Sequence, residues 1–232
     1  MYMCACADVE GGDFGKTGME TANVTGGAWY PSKVETRQSS ARSGSCTFLS
    51  TLQMNIETTE KYGAPATVIV NVTVPGSDGA AADIELKWFD KTATRIAEAM
   101  WMSFVPPHVS PAANWSLDVM GYDLDPLDVA HGGTRFKHAV GSGATLHDGP
   151  GGAAVEVRML DTAIVAPGDI NHLLRFCRGS FSPGGITDAC ADKVDPLNGG
   201  VHANLYNNLW GTAFPQWYDD DGVARFQVHM AV

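Results

Sequence analysis

Alternation with a period of two dominates the chain, and it predicts strands. Over residues 46–56, Cys46, Phe48, Ser50, Leu52, Met54 and Ile56 share one face, while Thr47, Leu49, Thr51, Gln53 and Asn55 share the other. Residues 67–74 repeat the pattern: Val68, Val70, Val72 and Val74 point one way, which assigns Asn71 to the wetter face. Ile84, Leu86 and Trp88 alternate with Glu85 and Lys87, and Val155, Val157 and Met159 alternate with Glu156 and Arg158. Near the end, Ala224, Phe226, Val228 and Met230 alternate with Arg225, Gln227 and His229. Residues 92–99 have helix-compatible composition, yet Trp101, Phe104 and Val105 continue them into an apolar run that reads as a strand over 97–105.

Turn-forming connectors separate these runs. Pro75-Gly76-Ser77-Asp78-Gly79, Gly141-Ser142-Gly143, Asp148-Gly149-Pro150-Gly151-Gly152 and Asn198-Gly199-Gly200 cannot continue a strand unbroken. The reading is therefore all-β, with two stacked and mostly antiparallel sheets. Residues 1–45 are largely polar, Gly-rich and unpatterned and read as an irregular lead-in, leaving 46–232 as one β-sandwich domain.

Composition narrows the function classes. With 15 basic and 26 acidic residues among 232, the formal net charge is −11, and no Lys/Arg cluster exists to hold a phosphate backbone; nucleic acid is not an expected partner. No apolar run approaches the ~20 residues that span a bilayer, so no membrane partner is expected. A chain this long buries roughly 70 to 75% of its unfolded surface, and 44% hydrophobic residues suffice for a core. Five cysteines at 4, 6, 46, 177 and 190 match neither a zinc spacing nor a disulfide framework, Cys177 with Cys190 being the pair best placed for a bridge. Residues 1–12 lack the basic start and apolar core of a signal peptide. Three N-x-S/T sequons at Asn23, Asn71 and Asn114 are nevertheless compatible with a secreted or extracytoplasmic parent.

The chemistry-bearing residues concentrate near the C-terminus. If residues 202–210 form a strand, His202, Asn204, Tyr206, Asn208 and Trp210 share one face, and Ala203, Leu205, Asn207 and Leu209 the other. Amides offer paired donors and acceptors to vicinal hydroxyls and aromatic rings pack on the C–H face of a pyranose, so this face, with Trp217 beyond it, suits carbohydrate. The same amides and rings would equally serve a structural network within the fold. Glu98 shares a face with Met100, Met102 and Phe104, either as a solvated or salt-bridged carboxylate or as an acid/base group paired with His202 or His131. Asp123, Asp125 and Asp128 lack the Gly and terminal Glu of a calcium loop, and Asp125-Pro126 reads as turn initiation. His131 and His138 match no metal spacing, and no hydrolase elbow, phosphate loop, dinucleotide fingerprint or zinc-protease motif is present. No cofactor, metal ligand or catalytic nucleophile is thereby assigned.

Several phrases together resemble a known family. Tyr62-Gly63-Ala64-Pro65, residues 86–91 with 95–99, residues 128–133 with 138–140, and above all Asn204-Leu205-Tyr206-Asn207-Asn208-Leu209-Trp210-Gly211-Thr212, with residues 214–218 and Arg225-Phe226, carry it. They look like the C-terminal β-region of a poorly characterised family similar to the family 38, alpha-mannosidase-like glycoside hydrolases. The resemblance runs from about Glu60 to the end of the chain. It implies a β-supersandwich of the galactose-mutarotase-like type, packed in full-length relatives against an α/β-barrel that carries the nucleophilic Asp and the zinc ligands. This chain has no counterpart of the barrel, so neither nucleophile nor zinc carries over. The implied function is a non-catalytic domain of a glycoside-hydrolase-like protein that binds or frames carbohydrate, as a fragment whose partner is the missing barrel. The alternatives are a stand-alone mutarotase-type enzyme using Glu98, and a scaffold that binds no free sugar.

Overall fold

The structure is a computed structural model. It describes residues 2–5, 30–40, 44–77, 81–93, 98–107, 113–129, 137–149, 154–168, 199–208 and 221–231; for 2–5, 40, 98, 207, 208 and 231 this is backbone only. Among them are fourteen strands and one helix: β1 (Tyr2–Ala5), β2 (Lys33–Ser40), β3 (Cys46–Gln53), α1 (Ile56–Tyr62), β4 (Thr67–Val74), β5 (Ala82–Phe89), β6 (Glu98–Phe104), β7 (Asn114–Val119), β8 (Tyr122–Leu124), β9 (His138–Ala139), β10 (Gly143–His147), β11 (Ala154–Met159), β12 (Ile164–Pro167), β13 (Val201–Asn208) and β14 (Gly222–Ala231). They form two sheets, one ordered β1-β6-β13-β12-β9 and the other β2-β3-β4-β5-β14-β11-β10-β7-β8. The chain is all-β and mostly antiparallel.

Two compact units divide the chain, one made of residues 1–100 and 205–225, the other of 101–204 and 226–232. Each contains strands of both sheets, because β6, β13 and β14 cross from one unit to the other.

In the first unit, β2 to β5 form an antiparallel ribbon whose register aligns Val34, Leu52, Val68 and Trp88 in one row and Thr36, Ser50, Val70 and Leu86 in the next. Val68 and Leu86 are fully buried and Trp88 nearly so, which identifies the core face. The opposite rows carry Arg37, Leu49, Asn71 and Glu85, and Glu35, Thr51, Ile69 and Lys87. Asn71 therefore lies on the more polar face, but half-buried in mid-sheet, with its side-chain oxygen covered and unpartnered among the described residues.

The second unit shows the same division. Trp115, Leu117, Ala144, Leu146, Val157, Met159 and Phe226 lie on one face of β7, β10, β11 and β14, all nearly or fully buried. Burying each large side chain of this set contributes about 1.5 to 3 kcal/mol. Ser116, Thr145, Glu156 and Gln227 occupy the other face. The ring of Phe104 on β6 meets Phe226 edge-on at 5.2 Å, which joins the two sheets into a sandwich within this unit.

Three elements depart from the sequence reading. Within 1–45, two strands occur, and β2 pairs with β3 over its whole length. It escapes the alternation test because an edge strand with Lys33, Glu35 and Arg37 exposed has no apolar face to display, and charge protects such an edge from further pairing. The run from Cys46 stops at Gln53, and Ile56 starts α1. There Asn55 caps the helix by accepting the Glu57 N–H at 2.8 Å, and Gly63, left-handed at φ 67°, ends it, with the Gly63 and Ala64 N–H groups closing on Thr59 and Thr58 carbonyls. Glu98–Phe104 is a strand as its apolar run predicts, while 94–97 lie outside the described residues.

Candidate functional site

The polar strand predicted over 202–210 is β13, and it is described through Asn208. The division between the units falls on it, after Asn204, so its even-numbered residues belong to two separate settings.

In the second unit, β13 pairs with β12 so that His202 lies opposite Ala166. His202 is 1% exposed. Its Nε2 lies 2.9 Å from the carbonyl oxygen of Gly168 and its Nδ1 2.7 Å from Oγ of Ser103. A carbonyl only accepts, so Nε2 carries the proton, and in the neutral ring Nδ1 accepts from the serine hydroxyl. The imidazole thereby ties β13 to β6 on one side and to the end of β12 on the other. Since Ser103 and Phe104 point to opposite faces of β6, His202 lies on the face turned away from Phe226. Trp101 shares that face, fully buried, and its indole N–H has no acceptor among the described residues.

In the first unit, Tyr206 is 4% exposed. The ammonium of Lys91, just past the end of β5, sits 4.2 Å above the centre of its ring. Lys91 is 2% exposed and donates to the carbonyls of Thr92 at 3.0 Å and Gly63 at 3.3 Å. A buried ammonium is tolerable only with such acceptors, and the tyrosine face adds an attraction that grows when water is excluded. Nearby, the Asp90 N–H donates to Asp221 at 2.7 Å, fastening the end of β5 to the start of β14.

The structure thus places His202 and Tyr206 inside the fold, engaged by their own chain, and Asn204 half-buried between them in sequence. The side chain of Asn208 and all of Trp210 and Trp217 lie outside the described residues, as do the side chain of Glu98, His131, Cys177 and Cys190. A His202 with both ring nitrogens bonded internally is poorly placed to act on a sugar as acid or base. His138 lies on β9 opposite Val165. Asp125 accepts the Leu127 N–H at 2.8 Å, and its carbonyl that of Asp128 at 3.0 Å, the local bonding of a turn. Among the described residues no group of three His, Cys, Asp or Glu side chains is arranged to hold a metal ion.

Lys91, Ser103 and Gly168 were missed by sequence reasoning. Lys91 falls on the polar phase of the β5 alternation, and nothing in its neighbours marks a lysine that folds inward. Ser103 belongs to an apolar run, and Gly168 contributes only its carbonyl. Fold and site together define an all-β, two-sheet protein with a polar strand locked from within. No protein-family model matches the chain, and no curated protein matches it either.

Proposed function

We propose that this chain is a non-catalytic, carbohydrate-framing β-sandwich domain of a glycoside-hydrolase-like protein, in which His202 and Tyr206 hold the frame while Asn208, Trp210 and Trp217 contact sugar. The observation that carries the reading is the engagement of both His202 ring nitrogens by Ser103 and Gly168 inside the fold. The face the sequence offers to sugar is therefore divided: its first part, through Tyr206, serves the fold, which leaves the amide and aromatic groups beyond Tyr206 for a ligand. The family resemblance supports the carbohydrate class and the supersandwich type, both part of this same proposal.

Calorimetric titration with mannose-type oligosaccharides tests it. Trp210→Ala and Trp217→Ala should each weaken binding by about 1 to 3 kcal/mol, the worth of a buried aromatic contact, and leave the melting temperature unchanged. Wild-type protein that binds none of these sugars would reduce the proposal to a scaffold, and aryl-mannoside turnover that follows the protein through purification would overturn its non-catalytic part.

A further inference from the structure

Among the described residues the nine-stranded sheet ends at β8, which forms a hairpin with β7. Tyr122 and Leu124 pair with Val119 and Leu117 and so continue the core face of the sheet. Leu117 is 1% exposed, but Leu124 is 46% and Tyr122 72% exposed. Met120, at the tip, is 90% exposed and held at φ 56°. A two-residue hairpin favours Asn or Gly at such a position, because the Cβ of a bulkier L residue there crowds its own backbone. The fold gains no packing from Met120 in return.

The backbone of this hairpin also has a direction. With Met120-Gly121 as the turn, the closing pair Val119 and Tyr122 is hydrogen-bonded, so Asp118 and Asp123 form the alternate, non-bonded pair. The Asp118 carbonyl indeed turns away from β8 and accepts the Gly141 N–H at 2.7 Å. By the same alternation, the N–H and C=O of Asp123 point outward, at an edge where no further strand pairs among the described residues. Charge completes the pattern: residues 113–129 contain Asp118, Asp123, Asp125 and Asp128 and no Lys or Arg.

We propose that the β8 edge is a docking site for an extended segment of a protein partner with alternating apolar and basic residues, which adds beside β8 as the next strand. Its apolar residues cover Tyr122, Leu124 and Met120, its backbone bonds to the outward groups of Asp123, and a Lys or Arg lies opposite the Asp123 carboxylate. A second copy of this chain fits worse, because antiparallel pairing centred on Asp123 sets two carboxylates directly opposite each other.

The probe is a fluorescently labelled synthetic peptide of alternating lysine and valine, roughly seven residues long, the length of one strand, read by anisotropy against its glutamate–valine counterpart. Binding of the lysine peptide alone is expected, together with slowed hydrogen exchange at the Asp123 amide. Asp123→Lys should weaken the peptide about tenfold. Met120→Gly relieves the backbone conformation, so it should melt no earlier than wild type and still bind the peptide several-fold more weakly. No binding of the lysine peptide, equal binding of both peptides, binding unchanged in both variants, or a dimer by light scattering that is lost in Asp123→Lys would each overturn the proposal.

Discussion

His202 shows how a single side chain changes meaning between sequence and structure. In the sequence it opens a face of polar and aromatic groups; in the fold it joins three strands of one sheet. Removing it leaves the buried Gly168 carbonyl without this donor and the half-buried Ser103 hydroxyl without this acceptor. His202→Ala should therefore cost about 2 to 4 kcal/mol of stability, near the cost of truncating a buried Leu, as read by urea denaturation. Asp118 makes a different statement. The Ser142 hydroxyl and then the Gly121 N–H hold its carboxyl below the usual carboxylate range. A depressed folded-state value means that the stabilisation is present while the group is ionised and is lost as pH falls through that lowered value. Asp118→Asn should melt lower than wild type at neutral pH, and its melting temperature should fall less between about pH 5 and about pH 2. Parallel acid limbs in the two proteins would show that this carboxylate is not a source of acid sensitivity.

At the scale of elements, legibility followed burial. β4, β5, β11 and β14 bury residues of one face only and leave the other half-buried or exposed, so their alternation is written in the sequence. β2 exposes both faces of an edge, and β7 buries Trp115, Ser116 and Leu117 in succession, so neither shows a period of two. The helix was hidden for another reason: its seven residues bury only Thr58, and Ile56 is largely exposed, so no apolar stripe forms. Its signal was in the caps, Asn55 before it and Gly63 after it. Because so short a helix has little packing to hold it, Asn55→Ala should destabilise by about 1 kcal/mol, and Gly63→Ala by a similar amount through its left-handed backbone. Thermal melts of the two variants check this, and wild-type values for both would mean that the Lys91 contact to the Gly63 carbonyl holds the loop without the caps.

For the whole molecule, the sequence announced the two-sheet architecture but not the division into two units, since β6, β13 and β14 each run through both and no compositional break marks the change. The candidate site was legible as a strand with two unlike faces. Which groups on the polar face turn inward was not, because that depends on partners distant in sequence: Ser103 is 99 residues from His202, and the Lys91 ammonium reaches Tyr206 from the end of β5. In the proposed function, this inward part of β13 supports the fold and does not itself clasp sugar. The most direct measurement is the dissociation constant of a mannose-type oligosaccharide for His202→Ala, taken by calorimetry below the variant's lowered melting transition. The wild-type constant is expected, in a protein that melts early; an affinity lost in a variant that melts like wild type would instead put His202 on the sugar.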